Sequence, residues 1–372
     1  MENPTTYGLS FFKRFYDMFV IPVQAYLQVK PIGDWINERR REAGCNVRDL
    51  EYEPWTHKNN IKLVNSLFGI EAARPFGPLV ERVGPIMPRQ YDPLTPDLKE
   101  YLDNHSRILY IAFGQHAVAS ISDLQMIMTS IMENIEHGVY DGFLWASRKS
   151  SETFPEEIKT SSGKIYRVKD MFEGKYSNLR FVSWAPQTAV LFHPSVNVFL
   201  THGGAGSMYE ALYAGKRLIV FPFYGDQFLN AQNVKATGLG DFLNPKLSQE
   251  EANDMVKRVG LDVDGSIQQN VKRYKALIQI HSQNGSIRGA DIIEEVLFVN
   301  KDTYLPYRYP VSRQMSFIKA HNLDLIAAAL VLFMGIICSF VLLVKAAFHL
   351  MLAYIWQKGA PIDPAKMKLK TI

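Results

Sequence analysis

A chain of 372 residues with 47% apolar side chains is long enough for two domain-sized units, or for one with appendages. The net charge of +4 is modest and the basic residues are scattered, with no basic patch interleaved with aromatics, which argues against a nucleic-acid partner. Two cysteines, Cys45 and Cys338, exclude a disulfide framework and a cysteine-based zinc site, and no His/Glu spacing resembles a metal centre.

Residues 1–10 are polar, and Lys13, Arg14 and Asp17 break the apolar run that follows, so the start does not read as a signal peptide. Residues 8–43 read as amphipathic helices interrupted by Pro22 and Pro31, with residues 38–42 as the solvated face of a helix end. Residues 61–66 and 79–83 have the look of short strands, with Pro75, Pro78 and Pro85 between and after them. Residues 107–113 predict a strand ending in Gly114-Gln115-His116. Ser122 then predicts a helix cap, with Gln125 as its capping-box partner and Gly138 as the stop. Residues 142–146 predict a second strand, and the charged residues 147–178 a surface excursion.

Residues 181–233 organise the rest. Three apolar, non-alternating runs lie in or beside this stretch, at residues 179–182, 196–200 and 218–221, which suits buried parallel strands. Each is followed by a distinctive segment: Trp184-Ala185-Pro186-Gln187, then Thr201-His202-Gly203-Gly204-Ala205-Gly206-Ser207, then Gly225-Asp226-Gln227. In an open parallel sheet, the loops after the strands share one edge, and ligands bind there. The glycine turn enters a helix expected at residues 208–214, whose start suits a phosphate. Glu210 lies three residues beyond Ser207 on the same face, where a carboxylate can accept bonds from a diol. Trp184 offers a face for a flat base, and Asp226 with Gln227 a reader of sugar hydroxyls. Taken singly, each residue also has a plain structural role in a core, a corner or an N-cap. Together in one crevice they suit a nucleotide sugar.

The stretch resembles the signature of the family 1 UDP-glycosyltransferases: Trp184-x-Pro186-Gln187, His193-Pro194, Thr201-His202-Gly203-Gly204, Ser207-x-x-Glu210 and Asp226-Gln227. Asn230-Ala231 follows, as in the membrane-anchored animal-type members. The resemblance implies an α/β protein of GT-B type, with a complete C-terminal Rossmann-like donor domain, a partial N-terminal domain and a C-terminal transmembrane helix. It implies inverting transfer of a hexosyl group, glucosyl or glucuronosyl, from a UDP-sugar co-substrate to a hydroxyl of a small lipophilic or lipid acceptor. Neither a metal nor another cofactor is expected. Trp184 would stack the uracil, Gln187 hold base or ribose, and Glu210 bind ribose hydroxyls. His202, Gly204 and Ser207 would hold the diphosphate, and Asp226 and Gln227 the sugar. Gly114, Ala185, Ala205 and Gly206 complete the expected donor-binding set. Gln115 departs from the Gly-Ser or Gly-Thr usual in the family at the first strand end.

On this resemblance residues 1–73 are the remnant of an acceptor domain, 74–96 a linker, 97–300 the donor domain and 301–323 a connector. The chain would begin partway through the acceptor domain, and the histidine base expected there would be missing; His57 and His105 do not follow a strand in the required way. The alternative is a non-catalytic UDP-sugar-binding membrane protein that needs a partner supplying the acceptor domain and base.

Beyond the signature, residues 238–240 turn the chain, and residues 248–259, 266–281 and 287–298 predict helices, the last implied by the family to cross back onto the N-terminal domain. Residues 325–344 carry no charge and span roughly 30 Å as a helix, so 324–346 predicts a transmembrane segment. Tyr354 and Trp356 suit an aromatic belt. Residues 347–372 predict a basic cytosolic tail, with Lys358, Lys366, Lys368 and Lys370 against Asp363, which leaves the donor domain lumenal. Residues 368–372 resemble a dilysine signal of the endoplasmic reticulum.

Overall fold

The strongly apolar runs in the middle of the chain pair side by side, because β-branched and aromatic residues without alternation satisfy a strand buried on both faces. The computed structural model describes residues 9–45, 60–67, 69–71, 73, 75–301 and 305–359. His57, the lysines at 366, 368 and 370, and the dilysine-like end lie outside them. The described residues fall into two compact units that divide after Pro306.

The first unit opens with α1 (Phe11–Phe15), a π-helical stretch (Tyr16–Val20) and α2 (Ile21–Glu42). At Pro22 the α-helical pattern is interrupted, since the π-helical stretch ends just before it and α2 starts at Ile21, whereas the interruption expected at Pro31 is absent and α2 continues through it. β1 (Lys62–Val64) and β2 (Val80–Arg82) pair in parallel. After α3 (Pro96–Asp103) come β3 (Ile108–Ala112), α4 (Ile121–Glu136) and β4 (Gly142–Ala146). The cap of α4 is Ser120 with Asp123, two residues earlier than Ser122 and Gln125: each partner's side chain accepts the other's backbone N–H, at 3.1 and 3.2 Å.

Residues 147–178 are more than a surface excursion. They form the antiparallel hairpin β5 (Glu157–Lys159) and β6 (Ile165–Arg167), followed by α5 (Val168–Phe172). Phe154, Ile158, Tyr166 and Met171 are buried, and Phe172 stacks on Phe181 with ring centroids 4.0 Å apart. Phe181 belongs to β7 (Leu179–Val182), the edge strand of the main sheet, so this apolar cluster covers that edge.

The chain continues through α6 (Gln187–Phe192), β8 (Val196–Thr201), α7 (Ala205–Ala214), β9 (Arg217–Val220), α8 (Gln227–Ala236) and β10 (Gly240–Phe242). Some boundaries move: α7 begins three residues before the expected 208, β8 runs one residue further to Thr201, and β9 begins at Arg217 and ends at Val220. The buried Arg217 donates through Nη1 to the carbonyls of Val259 and Gly260 at 2.7 and 2.9 Å. The turn expected at residues 238–240 leads directly into β10, which the sequence does not signal because Gly and Asp are poor strand formers. β10 pairs in parallel with β9, and its buried Asp241 is balanced by Lys235 and Arg258.

The six strands form one parallel sheet in the order β10-β9-β8-β3-β4-β7. Strand order reverses between β3 and β8, the doubly wound arrangement whose ligands sit at that switch point. Right-handed crossovers in opposite directions put α4 and α7 on opposite faces. α9 (Gln249–Leu261) packs with α4, and α10 (Ser266–Ser282) with α7. α11 (Gly285–Val299) follows; Tyr274 of α10 donates to the Gly69 carbonyl at 2.5 Å, and Arg288 of α11 lies 3.4 Å from Glu81 of β2.

The second unit contains α12 (Phe317–Ala320) and α13 (Leu323–Lys358). α13 is a single 36-residue helix that continues well past 346, because nothing from Lys345 onward breaks it. Its segment Leu323–Trp356 is long and apolar enough to cross a membrane.

Candidate functional site

The C-terminal ends of β3 and β8 meet at the switch point, and the chain is built tightly there. A methyl group on Gly204 would come within 2.5 Å of His202 Nε2, and one on Gly114 within 3.3 Å of its Cε1. The imidazole therefore lies against two positions that tolerate no side chain. Gly114 and Gly203 also adopt left-handed φ angles of +72° and +85°. Burial pushes the His202 pKa below its ordinary value of 6.5, opposed by the charge of Asp226 and the Ala112 carbonyl, so the ring is neutral at neutral pH.

Gly204 is the N-cap of α7 and provides no side-chain cap. The first-turn amides of Ala205, Gly206 and Ser207 have no partner within the helix and suit an anion. Thus Ala205, Gly206 and Ser207 belong to the helix itself rather than to the turn before it, because small residues do not obstruct its start.

Gln187, the first residue of α6, reaches this helix. Its Nε2 donates to Ser207 Oγ at 3.2 Å and to Glu210 Oε2. The segment after β7 and the turn after β8 are thereby joined, although β3 and β4 separate the two strands in the sheet. Ala185 is buried, whereas Trp184 keeps 54% of its surface exposed and offers its indole to solvent.

Asp226 and Gln227 do not behave as a matched pair. Asp226 is exposed, and its Oδ2 accepts from Asn230 Nδ2 at 2.9 Å. Gln227 is buried, and its Oε1 accepts the N–H groups of Phe223 and Tyr224 at 2.8 and 3.1 Å. Its carbonyl oxygen thus braces its own loop, which leaves only the amide nitrogen for a ligand.

Among the described residues no group of three or more His, Cys, Asp or Glu could hold a metal ion. His105 sits after α3 with its Nδ1 2.6 Å from the Tyr101 carbonyl.

The family described as UDP-glucoronosyl and UDP-glucosyl transferase matches residues 11–355. The chain belongs to this family. It is 32% identical over 314 residues to a UDP-glycosyltransferase of Talaromyces amestolkiae, covering 79% of this chain and 57% of that one. UDP-glycosyltransferase 1 of Phaeomoniella chlamydospora is 31% identical over 307 residues, 78% of this chain and 60% of that one. UDP-glucuronosyltransferase 3A1 of Mus musculus is 27% identical over 183 residues, 49% and 32% of the two chains. The chain therefore spans little more than half the length of its fungal relatives. The solved structure of Phytolacca americana UGT2, complexed with UDP-2fluoro-glucose and pterostilbene, overlays with a TM-score of 0.43 at 24% identity, over 58% of this chain and 46% of that one.

Two parts of this family member's crevice escaped the sequence reading. One is a recess beside Gly114, lined by Gln115, Trp145, Ser147, Arg148 and Lys149. The strand-end rule applied to β4, as it was to the other strands, would have found its last three residues. The other is the role of Asn230, which the signature includes but whose partner at Gly203 is distant in sequence.

Proposed function

We propose that the switch-point crevice binds a UDP-sugar, and that the protein acts in inverting, metal-independent transfer of a glucosyl or glucuronosyl group to a hydroxyl of a small lipophilic or lipid acceptor. His202 and the first-turn amides of α7 take the diphosphate, Gln187 and Glu210 the ribose side, Trp184 the uracil, and Asp226 with the Gln227 amide nitrogen the sugar. The observation that carries this reading is the meeting of Gln187, Ser207 and Glu210 at an uncapped helix start beside the glycine-flanked His202. We assign no general base among the described residues. The test is calorimetric titration of UDP into the purified chain in detergent. Saturable binding is expected, weakened about tenfold by Glu210→Ala through loss of hydrogen bonds to a charged acceptor. An absent isotherm, or one unchanged by that substitution, overturns the reading.

A second reading, a UDP-sugar-binding protein completed by a partner, rests on β1 and β2. Among the described residues they pair only with each other, and the groove beside them is lined by Ile61, Leu63, Ile293 and Leu297, the last 75% exposed. Parallel sheets are ordinarily larger and covered on both faces. Sugar transfer by the purified chain alone would eliminate this reading.

We further propose that α13 anchors the protein in the endoplasmic-reticulum membrane, with the donor unit lumenal and the tail cytosolic. Support comes from the uncharged residues 325–344 and the lysines after them. A tail epitope protected from protease in sealed microsomes would reverse the orientation.

A further inference from the structure

Asn230 is a buried side chain that touches two corners of the crevice without lying on its surface. Its Nδ2 donates to the Gly203 carbonyl at 2.8 Å and to Asp226 Oδ2 at 2.9 Å. Gly203 belongs to the turn after β8, and Asp226 to the loop after β9. Both partners are acceptors, so the amide orientation is fixed, and only a group with two hydrogens on one atom can bridge them. A carboxylate of the same shape would set a third acceptor against two others. Asp226 lies four residues before Asn230, on the same helix face. The acid itself is exposed, and an exposed carboxylate without a brace samples several rotamers. Here Oδ2 is held by Asn230, and Oδ1 takes no hydrogen bond among the described residues.

We infer that Asn230 is a positioning residue for donor recognition: it fixes the Asp226 carboxylate relative to the glycine turn, so that the sugar of the donor meets an acceptor already in place. Preorganisation of this kind lowers the ordering cost of binding. The inference rests on the donor-site reading above and deepens it. It assigns sugar recognition partly to a side chain that does not touch the sugar. Gln227 braces the same loop from within, through Phe223 and Tyr224, so removing Asn230 leaves the loop in place and releases mainly the acid.

The experiment compares two ligands on the full chain in detergent: UDP, which lacks the sugar, and whichever of UDP-glucose and UDP-glucuronic acid the wild type binds more tightly. Asn230→Ala and the near-isosteric Asn230→Asp are each expected to weaken the UDP-sugar about tenfold, while UDP changes by about twofold or less. UDP affinity thereby serves as the control for folding. In an Asp226→Ala background, Asn230→Ala is expected to weaken the UDP-sugar no further than it weakens UDP, because its effect runs through the acid. Equal losses for both ligands, additive losses in the double variant, or no loss at all would each overturn the inference. A wild type that binds UDP but discriminates neither sugar also overturns it and leaves the nucleotide site standing. A wild type that binds no UDP removes the donor site and the inference together.

Discussion

The corner after β8 and the corner after β9 are the same device, a parallel strand turning into a helix, put to opposite uses. The first is stripped. Gly203 and Gly204 have no side chains, α7 starts without a side-chain cap, and the imidazole of His202 fills the space that the glycines leave. The second is braced. Gln227 collects two loop N–H groups, and Asn230 ties the acid to its neighbour. An open corner keeps its amides for a ligand, whereas a braced corner uses its polar groups to hold one exposed carboxylate still. Binding an anion calls for unsatisfied donors, and reading a sugar hydroxyl calls for a fixed acceptor.

The sharpest way to break the comparison is to put a methyl group on the open corner. Gly204→Ala places a carbon within 2.5 Å of His202 Nε2, so the ring must move. UDP affinity is expected to fall about tenfold to a hundredfold, since a hydrogen bond to a charged group is worth about 1.5–3 kcal/mol. Wild-type affinity by calorimetry would show that the imidazole is no part of the site. The matching change on the braced corner is Gln227→Leu. It strands the N–H groups of Phe223 and Tyr224, and denaturant unfolding is expected to show a loss of about 1–3 kcal/mol with UDP affinity retained within a few-fold. If stability holds and UDP affinity collapses, the two corners have exchanged roles.

The smallest expected effect is on pH dependence. Burial lowers the His202 pKa, so the folded protein binds that proton less readily than the unfolded chain. Above the ordinary value of 6.5 both states are neutral and the group adds no pH dependence. As the pH falls below that value, the unfolded chain takes the proton first, and stability is lost until the lower folded pKa is passed. The melting temperature of the wild type should therefore drop more between about pH 7.5 and about pH 5 than that of His202→Gln. Equal drops would place the ring in solvent.

Much of the sheet is legible in the chain because its strands are continuous apolar runs, and 142–146 and 179–182 keep their expected limits. The misread elements are those whose stability comes from elsewhere. β10 is a strand because β9 offers it a ladder and because Lys235 and Arg258 balance Asp241. The hairpin at 157–167 looks like a loop until Ile158 and Tyr166 are buried in the core. Pro31 signals a helix end, yet the single bond it removes does not stop α2.

Reading along the chain is enough to put three strand ends bearing an aromatic, a glycine turn and an acid-amide pair at one sheet edge, to give them the spacing of UDP-glycosyltransferases, and to place a long uncharged helix after them. These are local properties of side-chain size, charge and period. Folding in three dimensions adds that β3 and β4 separate the first of those ends from the other two, that Gln187 bridges the gap to Glu210, that Gln227 turns inward, and that Asn230 clasps the acid to the turn. Strand order and buried hydrogen-bond partners depend on residues far apart along the chain, and no periodicity within one segment encodes them.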